Sequence, residues 1–400
     1  MSDFGPGDDN LPNPFQGMPI FGDLAKLFQQ QGTMSWDAAR QFALSIATGG
    51  TAENNVDPLE RIRIEQLARV AELQIANATG LDPAGNGMGL TIVPVNRTIW
   101  TQKTLDAYRP LFEVLSQSLN RTDASGPSDT DDPNDPMAFM APLMKMIGPM
   151  MLGLTAGSMV GHLAQRSFGM YDLPIPRPAG DQLLLIVPNI EAFGEAWSLP
   201  ADDLRLWVCL HEVAYHTVLN QPHVRARLDH LLNRYVASFE PDGAGLEGAM
   251  GDLESFDPSG PEAFQKLLGD PEVVLGAIQS PTQKALLPQL EALVCVIGGY
   301  VDHIMDGVGG GLLSGYAMIT EAVRRRRVEA ASSDRFVEKL FGLELTQASY
   351  DRGRAFVDGV HERAGDAGLT RLWQSERELP TPAEVDAPGL WLARIDLPEA

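Results

Sequence analysis

The stretch Leu206-Trp207-Val208-Cys209-Leu210-His211-Glu212-Val213-Ala214-Tyr215-His216 decides how this chain is read. It lies in a segment, 202–219, whose apolar spacing is helical. It begins as the zinc-binding pattern His-Glu-x-x-His begins. In that pattern two histidines four residues apart share one helix face and reach one ion, while the glutamate acts as general base on metal-bound water. Here Tyr215 stands in the second histidine's place, and the next histidine is His216. Four residues turn a helix through about 400°, leaving two side chains about 40° apart, whereas five leave them about 140° apart. Short of a π-bulge, His211 and His216 therefore cannot face one ion. Tyr215 is a weak substitute, because a phenol with a pKa near 10 stays protonated at neutral pH.

Around this helix the chain reads as mainly α. Ser35 is placed to cap a helix beginning at Trp36, and Pro58 opens a second over 57–79, with Leu59, Ile62, Leu67, Val70, Leu73 and Ile75 as its apolar stripe. Another covers 96–118. Segment 137–163 is apolar and rich in methionine, and Gly153, Gly157 and Gly161 recur every fourth residue on one face. Lys145, His162, Pro142 and Pro149 interrupt it, so a buried helix pair is expected there and not a membrane span. Segment 171–190 is the β candidate, a small hairpin turning at Ala179-Gly180-Asp181, with residues 183–187 as its buried arm. Later helices are expected at 222–239, 261–269, 281–306, 313–331, 332–341 and 346–364, with Gly309-Gly310-Gly311 as a helix-breaking turn. Leu390, Trp391 and Leu392 anchor a Pro-rich tail. Residues 1–34 read as a flexible Gly/Pro-rich leader to a single domain over 35–400. Within that domain, 121–136 is an acidic loop too polar to pack.

The 400 residues include 53 acidic and 30 basic side chains, a formal net charge of −23. Such a surface repels phosphate backbones and anionic lipid, so neither nucleic acid nor a membrane is an expected partner. Two cysteines, Cys209 and Cys295, cannot build a disulfide scaffold, and the first residues lack a secretory pattern. A cytoplasmic location is expected. Both cysteines are read as buried and inert, close to the two informative helices. Arg324 to Arg327 is the dense basic cluster, read as a solvated helix face with internal salt bridges or as a grip for an acidic partner. Trp36, Trp100, Trp197 and Trp373 are too scattered for a base-stacking platform and are assigned to the core.

A second informative stretch is Gly298-Gly299-Tyr300-Val301-Asp302-His303. Its order and spacing relative to the His211 helix matter together with several further segments. These are the glycine-rich helix before Tyr171-Asp172-Leu173-Pro174, the segment Val187-Pro188-Asn189-Ile190, Thr282-Gln283, the arginine run, and Gly342-Leu343-Glu344-Leu345. With these pieces, from about Trp36 onward, the chain resembles a bacterial family of zincin-like metallopeptidases. Some members of that family are labelled hydrolases associated with deazaflavin-cofactor biosynthesis.

The resemblance implies a multi-helix zincin-like fold. It also implies a zinc site built from HExxH on one helix and ExxxD on a later one, the second glutamate being the third ligand and the aspartate bracing a ligand histidine. By position, His211 keeps the first ligand, Glu212 the general base and Asp302 the brace, while Tyr215 and Gly298 replace the other two ligands. One histidine cannot hold zinc usefully. The expectation is therefore a pseudo-enzyme with no cofactor, which binds a peptide or protein in the former substrate cleft or regulates a competent relative. Two alternatives stand beside it. In one, His211 binds zinc with His216 or His303 and with Asp302 or Asp306, and Glu212 remains the base. In the other, the chain is an assembly module that self-associates through its Met-rich helix.

Overall fold

Proline at the first turn of a helix sacrifices no hydrogen bond and arrives with its φ already helical, and prolines open many of the helices in this chain. The computed structural model describes residues 34–84, 89–121, 136–178, 180–239, 280–328, 337–338, 340–343 and 345–397. In chain order the elements are α1 (Trp36–Thr48), α2 (Pro58–Thr79), β1 (Thr91–Val95), α3 (Arg97–Arg121), α4 (Pro136–Arg166), β2 (Gln182–Ile186), α5 (Val187–Ala196), α6 (Ala201–Leu219), α7 (Pro222–Ala237), α8 (Pro281–Leu312), α9 (Tyr316–Val328), α10 (Gln347–Arg371), α11 (Pro382–Val385) and α12 (Pro388–Ile395). The fold is mainly α with a two-stranded sheet. The expected helix at 261–269, nearly all of the leader, the acidic loop and most of the helix at 332–341 lie outside the described residues.

The small-residue face of α4 does what its spacing implies. A methyl group on Gly153 would lie 2.5 Å from the Ser35 carbonyl oxygen, and one on Gly157 would lie 2.5 Å from that of Ala39. Ala39, Ala43 and Ala47 of α1 are buried against this seam. The helices approach backbone to backbone, as a buried pair. Among the described residues one helix, α8, is long and apolar enough to cross a membrane, and most of it is buried inside the fold.

Several expectations need correction, among them Trp197, which is exposed and not in the core. The β element is not a hairpin: β2 pairs in parallel with β1, Ile92 opposite Leu183 and Val95 opposite Ile186. The supposed first arm carries Pro174, Pro176 and Pro178, which remove every second donor from one edge and forbid a ladder. On α2 the buried face is Ile64, Ala68, Ala71 and Ile75, while Leu59 stays 78% exposed and Ile62, Val70 and Leu73 are also exposed. The glycine triplet 309–311 remains helical within α8, with Gly309 lying under the Tyr316 ring.

One contiguous core runs through the described residues, and α6 lies in it, packed by α2, α7 and α8. Nearly every residue of α6 from Trp207 to its end is buried. Ser280 caps α8 through a reciprocal capping box with Gln283, the arrangement that satisfies two orphan N–H groups at once. Where α8 crosses α10, Gly299 faces Gly353: a methyl group on Gly299 would fall 2.3 Å from the Gly353 carbonyl carbon. Together these contacts fix where α6, α8 and α10 present their side chains.

Candidate functional site

The segment after α4, the face of α6, the end of α9 and the start of α10 line a cleft. His211, Glu212 and Tyr215 line it from α6, Arg326 and Arg327 from α9, and Tyr350 from α10.

His211 has a 12% exposed side chain, stacked on Trp207 with ring centroids 4.9 Å apart and tilted against Tyr215 at 4.9 Å. Its Nδ1 is 3.7 Å from Glu212 Oε1, and its Nε2 is buried without a hydrogen-bond partner. This leaves one imidazole nitrogen without a partner at the cleft wall.

Glu212 is 1% exposed. Its Oε2 accepts the backbone N–H of Met170 at 2.7 Å and of Tyr171 at 3.1 Å. The loop closes so tightly over the carboxylate that a methyl group on Gly169 would meet Glu212 Cδ at 2.4 Å. The Gly169 carbonyl also accepts the Trp100 indole N–H at 2.7 Å, tying the same loop to α3. Glu212 thus anchors the segment that walls the cleft.

Tyr215 and Gly298 are complementary. The Tyr215 hydroxyl oxygen lies 3.6 Å from where a Gly298 Cβ would be, and the Tyr350 ring lies 3.5 Å from that same point. Two phenol rings therefore stand in van der Waals contact with the point from which a side chain at 298 would project. Tyr215 also stacks on Tyr171, and burial pushes its hydroxyl pKa well above the ordinary value, so it stays a neutral phenol. Asp302 is committed elsewhere: it pairs with Arg327 at 3.3 Å, whose guanidinium lies 4.4 Å over the Tyr350 ring.

The donor set does not fit a zinc ion here. One histidine nitrogen remains, the second position is a protonated phenol, the third has no side chain, and a permanent guanidinium charge stands in the wall. His216 and His303 do not repair this, since neither lines the cleft. His216 Nδ1 shares a 2.8 Å hydrogen bond with the Tyr171 hydroxyl, and burial, aided by the charge of Arg225, lowers its pKa to about 4. His303 faces His361 of α10. Asp306 accepts the Tyr316 hydroxyl at 2.6 Å and pairs with Arg354 at 2.9 Å. Cys209 and Cys295 are free, buried thiols, and burial pushes their pKa values up to about 12 and about 11, so neither is a reactive thiolate on its own.

The arginine run divides in two. Arg324 and Arg325 pair with Glu321 on an exposed face, as expected of a solvated helix. Arg326 turns inward to Asp172 and over the Phe168 ring, and Arg327 turns to Asp302. Sequence reasoning missed this inward half, because the run was read as one solvated face. Tyr350 carried no signal at all, and Gly169 reveals its purpose only once Glu212 is packed on it.

The sequence model that describes zincin-like metallopeptidases matches residues 34–392. No curated protein matches the chain. Among solved structures, a candidate hydrolase with a novel fold from Chloroflexus aurantiacus is similar at a TM-score of 0.64 and 24% sequence identity. That alignment covers 92% of this chain and 100% of the other, and it shows a shared fold.

Proposed function

The chain belongs to the zincin-like metallopeptidase family, and from that premise we propose that its cleft holds a peptide or protein segment without hydrolysing it. The observation that carries the reading is the Tyr215 phenol set into the space beside Gly298. The residues at the two replaced ligand positions lie beside each other, and neither supplies a strong zinc donor at neutral pH. The Arg327–Asp302 pair supports the same conclusion, because the carboxylate that would brace a ligand histidine is engaged by a cation. What remains is a cleft with aromatic walls and inward-facing arginines, a surface suited to grip a chain segment that carries carboxylate or carbonyl groups.

One observation favours the rebuilt-site alternative, the partnerless Nε2 of His211. A lone nitrogen does not make a site, since catalytic zinc takes three protein ligands. The deciding experiment incubates the untagged full chain with zinc and a mixed peptide library, beside the Glu212→Gln and His211→Ala variants. The expected outcome is no cleavage by any of the three. Cleavage by the parent chain that disappears in both variants would overturn the proposal.

A further inference from the structure

Asp302 and His303 are neighbours in sequence but point about 100° apart around α8. Asp302 faces Arg327 of α9, whereas His303 faces α10, where its ring centroid lies 5.1 Å from that of His361. Four residues further on, Gly365 breaks α10 with φ +62° and ψ −162°. That left-handed φ is one which glycine adopts without a Cβ penalty. The break returns Asp366 to His361, its Oδ1 lying 3.2 Å from Nδ1. One donor atom from each of His303, His361 and Asp366 lies within 4.8 Å of the other two.

We propose that His303, His361 and Asp366 form a binding site for a divalent transition-metal ion, separate from the cleft. Donors bound at about 2.0–2.1 Å around a tetrahedral zinc ion stand about 3.3 Å apart. The spacing between His361 and Asp366 already has that value, and exposed side chains close the rest by small rotations. Two imidazoles and one carboxylate suit zinc, cobalt or nickel in preference to magnesium or calcium, which take oxygen. Asp306 stands one turn from His303 and Asp358 one turn from His361, and Arg354 pairs with both, holding two further carboxylates near the site. The His361 side chain is 46% exposed and that of Asp366 88%, so an ion can enter from solvent and water can fill the fourth position. A bound ion would pin the broken end of α10 to α8, the two helices that meet at Gly299 and Gly353.

The site is tested by calorimetric titration of zinc into the chelator-stripped, untagged full chain. About one equivalent should bind. His361→Ala and Asp366→Ala change surface side chains, so both variants should fold, and each should weaken binding by about tenfold or more. His211→Ala should leave binding unchanged, which keeps this outcome separate from the fate of the cleft. Zinc should also raise the melting temperature of the parent chain and not that of His361→Ala. Absence of binding by the folded parent chain, or binding that survives both surface substitutions, would overturn the proposal.

Discussion

At Glu212 the carboxylate that would draw a proton from water in a working hydrolase accepts two backbone N–H groups. If that is its present task, removing it must cost stability, because one buried and one part-buried N–H are left unpaired, at about 1–3 kcal/mol for a buried one. Glu212→Ala should lower the unfolding free energy by about 3 kcal/mol in urea denaturation, and Glu212→Gln by less. A gain in stability would instead mark a residue strained for catalysis. His216 makes a second prediction. Its pKa is about 4 in the fold, below the ordinary value of 6.5, because burial disfavours the charged ring. Between these two values the unfolded chain binds the proton more readily. The stability is therefore complete above pH 6.5 and is lost as pH falls toward 4. At about pH 5.5 the loss should be on the order of 1 kcal/mol. Unfolding curves of His216→Gln should lack this component of the pH dependence.

At the scale of elements, the two adjacent glycines of α8 separate packing from chemistry. A methyl group on Gly299 meets the Gly353 backbone at 2.3 Å, whereas the nearest atom to one on Gly298 is 3.5 Å away. Gly299→Ala should thus destabilise by about 3 kcal/mol or more, since backbone must move. Gly298→Ala should be neutral or stabilise by up to about 1 kcal/mol, the helical preference of alanine. Thermal denaturation of the two variants checks both signs. The same contrast explains what could be read beforehand. Helix starts at Pro58 and Pro222 were legible because prolines act locally, and the start at Trp36 was read correctly although the Ser35 side chain makes no cap hydrogen bond. The buried face of α2 was not, because its contact uses Ala68 and Ala71 and leaves larger apolar side chains exposed. The partner of β2 was hidden as well, since β1 lies far away in sequence and a parallel pairing needs a long crossover.

Across the whole molecule, the motif spacing drew attention to His211, Glu212, Tyr215, Gly298 and Asp302, and the contacts these residues make were not legible in it. Whether Tyr215 reaches the space beside Gly298 depends on how α6 and α8 pack, which no local pattern encodes. That dependence can be tested by substituting both positions. Tyr215→His removes a buried phenol and leaves a cavity, at about 2–4 kcal/mol. Gly298→Glu drives a carboxylate against Tyr215 and Tyr350, whose atoms already lie 3.6 and 3.5 Å from its Cβ, so it too should cost several kcal/mol, as about 3–5 for an unpaired buried charge. In the double variant the glutamate enters the space the phenol leaves, beside an imidazole that can hydrogen-bond to it. The two losses should then fall short of adding by at least about 1 kcal/mol, measured as a double-mutant cycle in urea. Strict additivity would mean that the two positions do not compensate each other. Made on a His361→Ala background, which removes the proposed surface site, the double variant should also take up zinc in a manner that His211→Ala abolishes. The scaffold would then have kept the geometry of a metal centre while the side chains that served it were exchanged for packing.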